Sequence, residues 1–225
     1  DMLIVANEKK YEECSNAMFL CQRAEDLDLF GTIDCAVSCL DTINHIDTIE
    51  KVKKAIEKVS LFMNMGGIFI FDMNTPHKHE NILGNNTFIY DMDEVYCAWQ
   101  NSYDKENATT HIDLDFFIKN EDDDLYERYS ESFCEYAYEP KEILFMLEKC
   151  GFEISPTITE MHLLLPERII LAESFRMYPS SHAFSRIIFF VFSDISFFPL
   201  SAWETVFTET PSSRAISERV TLFSF

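Results

Sequence analysis

Ile33-Asp34-Cys35-Ala36-Val37-Ser38-Cys39-Leu40 and Gly66-Gly67-Ile68-Phe69-Ile70-Phe71-Asp72-Met73-Asn74 are the two stretches whose reading decides the fold. Each is a short, nearly continuous apolar run, as expected of a strand covered on both faces. Between them Ile49, Val52, Ile56, Val59 and Phe62 recur every three to four residues. That period predicts an amphipathic helix, with Asp47 or Thr48 as its N-cap and Gly66-Gly67 as its stop. Strand, helix, strand in this order predicts a parallel βαβ unit and an α/β fold.

Working upstream, Met18-Phe19-Leu20-Cys21 reads as another buried strand, and residues 2–12 carry apolar positions at helical spacing. Downstream the period changes to two. Thr87–Tyr90, Val95–Tyr103, Thr109–Lys119 and Leu125–Tyr136 alternate, separated by turn-forming Asp91-Met92-Asp93, Asp104-Lys105-Glu106-Asn107 and Asn120–Asp124. An antiparallel meander is expected there. Pro140 then opens a helix with Ile143, Leu144, Met146 and Leu147 on one face. Cys150-Gly151 closes it, and Phe152-Glu153-Ile154 is expected to begin a further strand.

The chain has 225 residues and a net charge of −21, from 18 basic and 39 acidic side chains. That balance argues against a nucleic-acid backbone or an anionic membrane surface as partner. Seven cysteines without a CxxC pair fit buried thiols in a reducing compartment better than a disulfide framework or a zinc site. No basic leader precedes the first apolar residues, and the run from Ile187 to Leu200 is too short and polar to span a bilayer. A cytoplasmic location is the expectation.

Composition shifts near residue 155. Every lysine lies at or before Lys149 and every glycine at or before Gly151. Residues 1–155 carry a net of −19, and residues 156–225 only −2. The later part is rich in Phe and Ser and holds three loosely similar pieces: Pro166–Ile170, Ser185–Val191 and Ser217–Leu222. A second module, a divergent insertion and a frame-shifted end all remain open.

Three blocks, Met18–Leu29, Ile33–Ile46 and Gly66–Thr75, with Leu83-Gly84-Asn85-Asn86 after them, resemble in order and spacing strands three, four and five of a class I S-adenosylmethionine-dependent methyltransferase. The likeness is to bacterial small-molecule enzymes of that family, which insert an antiparallel sheet after strand five. It covers about residues 1–155. It implies a partial Rossmann-like core over 1–86, a lid or substrate insert over 87–138, a return to the core over 139–155, and a divergent tail over 156–225. The tail would hold the closing strand, in Ser217–Leu222 or in Ser185–Val191. The helix at 2–12 matches the one after the family's strand two. The glycine-rich cofactor loop is thus expected upstream of Asp1, in an N-terminally truncated member. The family's sheet sets strands one and two between strands three and four, so unpaired strand edges and weak cofactor binding are expected.

The resemblance implies S-adenosylmethionine as cofactor and a small molecule as methyl acceptor. It sets Gln22, Arg23 and Ala24 beside the adenine. Arg23 stands where the family has an acidic residue, and an arginine cannot accept a hydrogen bond. Cys39, Leu40, Asp41 and Asn44 would line the cofactor, and His45, Asp72 and Asn74 the acceptor. His45 is the candidate base, if the acceptor must lose a proton. Tyr90, Tyr96, Trp99 and Tyr103 would wall the substrate. No metal is expected.

Each assignment has a plainer rival. His45, Asp41 and Asn44 also read as loop and cap residues, Asp72-Met73-Asn74 as turn chemistry, and the aromatic set as packing. Two other functions stand beside methyl transfer. One is an inactive homologue acting as an interaction module. The other is a nicotinamide-dependent enzyme, weakened by the missing dinucleotide fingerprint.

Overall fold

The computed structural model describes residues 2–12, 17–120, 125–154, 168–174, 187–191 and 220–224. The predicted helix is α2, Ile49–Phe62, with Val52, Ala55, Ile56 and Val59 buried. Thr48 is its cap: the extended backbone lets its hydroxyl accept the Lys51 N–H at 3.3 Å. The flanking strands are β2, Ile33–Ser38, and β3, Met63–Asn74, paired in parallel. The glycine pair does not stop the helix. It lies inside β3, Gly66 at φ 82°, where the register slips between Ile33–Met63 and Cys35–Ile68. A Cβ at Gly67 would sit 2.4 Å from the Met63 sulfur, so close packing explains that glycine.

Helix α1, Met2–Glu12, leads to β1, Met18–Cys21. An antiparallel sheet follows β3: β4 Thr87–Asp91, β5 Val95–Asp104, β6 Thr109–Lys119 and β7 Tyr126–Tyr136, in sequence order. Helix α3, Pro140–Lys149, returns beside α2 and buries Ile143 and Leu147. The expected strand at 152–154 is reduced to a single bridging residue, Ile154. Phe152 instead packs its ring 5.9 Å from that of Phe69 in the core.

The tail departs most from expectation. Three strands come from it: β8 Arg168–Ser174, β9 Ile187–Val191 and β10 Val220–Ser224. The main sheet runs β1-β10-β9-β2-β3-β8, parallel except for β8. The closing antiparallel strand is therefore Arg168–Ser174. Ser185–Val191 and Ser217–Leu222 do not fill that place. Their apolar cores, β9 and β10, lie between β1 and β2, where the expectation had left an unfilled gap. Unpaired main-chain groups in the middle of a sheet are costly, and two apolar β-forming runs satisfy them.

The main core joins Leu27, Phe71, Met73, Ile143, Leu147 and Phe152 across helix and sheet. A cavity of about 20 Å³ beneath α2, walled by Val52, Ile56 and Phe69 among others, is no larger than a water-sized packing gap. The described cysteines are free thiols, and burial pushes the Cys35 thiol up to about 11. Among the described residues no helix is long and apolar enough to cross a membrane. Nor does any group of three or more His, Cys, Asp and Glu side chains form a metal cluster there.

Candidate functional site

Ligand crevices in open α/β sheets lie at the carboxyl ends of the parallel strands. Here β2 and β3 end side by side, and the loop after β2 is strained. Leu40 and Asp41 sit at φ 57° and 51°, the left-handed region that non-glycine residues avoid at a cost of about 1–3 kcal/mol each. Three contacts hold them there. Asp72 Oδ1 accepts the Asp41 N–H at 3.1 Å, Asn74 Nδ2 donates to Asp41 Oδ2 at 2.5 Å, and the Thr42 hydroxyl donates to the Cys39 carbonyl at 2.7 Å. A turn of 3₁₀ helix, Thr42–His45, follows with Asn44 buried.

Asn44 and Asn74 form the centre of a buried polar knot. Asn44 Oδ1 accepts the Asn74 N–H at 2.7 Å, and its Nδ2 donates to the carbonyls of Asn74 at 3.0 Å and Tyr136 at 2.9 Å. The second proton on Asn74 Nδ2 goes to Glu135 Oε2 at 2.9 Å, and Asn74 Oδ1 accepts from Lys78 Nζ at 2.7 Å. Every amide proton of both side chains is thereby used. Asn74, 1% exposed, ties the strained loop to the insert and has no donor left for an acceptor molecule.

His79, fully buried, joins the knot from a short π-helical turn, Lys78–Leu83. Desolvation, reinforced by Lys78, lowers its pKa to about 4, so the ring is neutral near pH 7. Its Nδ1 lies 2.8 Å from the Thr110 hydroxyl. Nε2 lies 3.3 Å from Asn44 Nδ2, whose protons already serve two carbonyls, so that contact is at most shared. Glu135 lies 3.9 Å from this nitrogen, which is proximity to a neutral ring and not an ion pair.

His45 ends the 3₁₀ turn. Its ring lies 5.4 Å from the Phe133 ring on β7, tilted 44°. Burial lowers its pKa to about 4, with Asp41 pulling the other way. A neutral imidazole has a free nitrogen lone pair that can take up a proton, and burial makes it a weaker base than a solvated imidazole.

The insert face that brings Thr110, Phe133 and Glu135 to the parallel sheet also carries Tyr90, Trp99 and Tyr103. Tyr96 lies on the opposite face, edge-on to Phe117 at 6.1 Å, so the alternation removes it from the expected wall. On the expected adenine side, the Gln22 amide clasps the Asp28 backbone in both directions, at 2.9 and 3.2 Å. The Arg23 side chain is 69% exposed and reaches toward Glu25 at 3.7 Å, while Ala24 packs into the core. Cys39 and Leu40 are exposed at the edge of the crevice.

Glu135, His79, Thr110 and Lys78 escaped the sequence reading. His79 lay in a stretch that reads as a polar loop. For Glu135 a signal existed: it occupies an inward position of a period-two strand, where a charge needs a reason.

No protein-family model matches the chain. The chain is 24% identical over 148 residues to a Bacillus subtilis (strain 168) protein named "Putative methyltransferase YqeM", covering 65% of this chain and 59% of that protein. It is 23% identical over 154 residues to "Putative methyltransferase GWCH70_2453" of Geobacillus sp. (strain WCH70), covering 68% and 62%. The chain thus spans about three fifths of the length of these curated relatives. A crystal structure of an S-adenosylmethionine-dependent methyltransferase from Clostridium acetobutylicum ATCC 824 superposes with a TM-score of 0.67 at 28% identity, covering 78% of this chain and 72% of that one. Fold and sequence both liken the chain to the class I S-adenosylmethionine-dependent methyltransferases. All three of these similar proteins are bacterial.

S-adenosylmethionine is the cofactor of that class, and the described residues fit it in part. The exposed Leu40 on its strained loop offers an apolar ledge at the crevice. The place of the class's strand one is held by β9, and the 28 residues between β9 and β10 contain no glycine.

Proposed function

We propose that this chain carries the acceptor-facing side of a methyl-transfer site that uses S-adenosylmethionine and acts on a small molecule. The observation that carries the reading is the place of His45 at the carboxyl edge of the parallel sheet, its ring 5.4 Å from that of Phe133 on the insert. The bound cofactor would supply an activated methyl group on a sulfonium. What this chain adds is position, the main contribution to such a displacement. Leu40 and Asp41 set one wall, Trp99 and Phe133 the other, and the polar knot fixes the distance between them. His45 would take the proton from an O–H or N–H acceptor. Asp72 and Asn74 are positioning residues in this reading, acting through Asp41.

A second reading, an inactive homologue that serves as a binding module, is favoured by the glycine-free segment after β9. Calorimetric titration of the full chain with S-adenosylmethionine, followed by transfer of a labelled methyl group to a panel of small amines and alcohols, separates the two. Methyl transfer lost by at least tenfold in His45→Asn supports the first reading. Neither cofactor heat nor transfer establishes the second.

A further inference from the structure

On the inner face of the insert, Glu131 has no role in anything above. It lies on β7 opposite Leu114, which lies opposite Trp99, which lies opposite Phe88, so the four form one row across the sheet. Along β7 the same face carries Glu135 in the polar knot, Phe133 against His45, then Glu131. At about 3.3 Å per residue, Glu131 sits about 7 Å beyond Phe133, farther from the parallel sheet. One of its carboxylate oxygens, Oε2, is shielded from solvent and has no hydrogen-bond partner among the described residues.

A carboxylate oxygen removed from water without a donor is costly, and such exceptions call for a specific explanation. The surroundings suggest one. Trp99 already spends its indole N–H on Asn101 Oδ1 at 2.6 Å, and Phe88 and Tyr90 flank its ring at 6.0 and 6.3 Å. Tyr90 and Tyr129, exposed on the same face, line the outer end of the wall. Aromatic faces beside a carboxylate suit a cationic nitrogen. The net charge of −21 adds a field that draws small cations toward the chain.

We propose that the insert's inner face binds a small organic cation, with its ammonium donating to Glu131 and its apolar part against Trp99. This rests on reading that face as the acceptor wall, and it narrows the acceptor to a molecule bearing a protonated amine. Glu131 anchors this group away from the reacting atom, because a protonated nitrogen has no lone pair to methylate.

The test titrates the full chain with benzylammonium chloride and with benzyl alcohol, its neutral near-isostere, following tryptophan fluorescence. Benzylammonium should bind at least tenfold more tightly than the alcohol. Glu131→Gln should bring the two within threefold of each other, Glu131→Asp should fall between, and Glu94→Gln, which removes the same charge elsewhere, should leave the ratio unchanged. Equal binding of the two probes by the wild type overturns the proposal. So does a ratio indifferent to Glu131→Gln, or one that Glu94→Gln abolishes equally. Cofactor titration on the same sample keeps the outcomes apart. Selective ammonium binding without cofactor binding removes the methyltransferase reading and leaves the cation site. Cofactor binding without ammonium selectivity does the reverse.

Discussion

The parallel sheet and the antiparallel insert handle polar groups in opposite ways. In the parallel sheet β2 and β3 run through apolar surroundings in their central parts, and their polar side chains lie at the ends: the Asp34–Asn64 pair at the amino ends, and Ser38, Asp72 and Asn74 at the carboxyl ends. The insert sorts by face. Its outer face carries an exposed ladder, with Asp115 held by Arg128 at 2.7 Å and by Ser130, and Asp113 held by Ser132. Its inner face has an apolar centre in Cys97, Ile112, Leu114 and Phe116, with polar groups at Thr110 and Glu135, where it meets the parallel sheet, and at Asn101, Glu127 and Glu131. Buried on both sides, a parallel sheet can offer chemistry only at its ends. A one-sided sheet can bring chosen polar groups to that end. The site arises where the two meet.

If the junction at Asn74 is what couples these regions, breaking it should cost most. Asn74→Ala removes the side-chain hydrogen bonds to Asp41, Glu135 and Lys78 and keeps the main-chain contacts to Asn44. We expect a loss of about 3–5 kcal/mol in urea unfolding, with the strained loop released. A loss below about 1 kcal/mol would mean that the two sheets are held by apolar packing alone.

Next in size is the response to acid. His45 and His79 both have folded pKa values near 4 against an ordinary 6.5. Between those values the unfolded chain binds more protons than the folded one, so stability rises with pH. It should be steady above about pH 6.5 and decline as pH falls toward 4. Each histidine contributes up to about 3 kcal/mol of that decline. Urea midpoints across this window should show the slope roughly halved in His45→Asn. An unchanged slope would move the effect to other groups.

The smallest effect belongs to the outer ladder. Arg128→Ala removes an exposed ion pair and a guanidinium 5.9 Å from the Phe117 ring, and it should change stability by less than about 1 kcal/mol. Salt should erase most of the difference. A larger, salt-resistant loss would show that the insert's two faces are coupled.

Local pattern disclosed much of this. The 3.6-residue period of α2, the apolar runs of β2 and β3 and the alternation from Thr87 to Tyr136 each encode an element within a few residues, because burial of one face repeats along the chain. The position of His45 after β2 was legible for the same reason. Tyr96 was misassigned because side chains reverse face at every step, and only the register with β6 shows which set points inward. Glu135 and His79 stayed hidden because their partners, Asn74 and Thr110, lie 61 and 31 residues away.

By itself, the sequence determined the kinds of element, their order and the α/β class, all of which follow from the spacing of apolar residues. Only the tertiary structure decided where the tail strands go. Ile187–Val191, Val220–Ser224 and Arg168–Ser174 are comparable apolar stretches, yet two enter the middle of the sheet in parallel and one closes its edge antiparallel. The physical reason is that the main-chain hydrogen bonds that pair strands carry no side-chain signature. The order of strands is set by which unpaired edges remain to be filled, and that exists only once the rest of the sheet has formed.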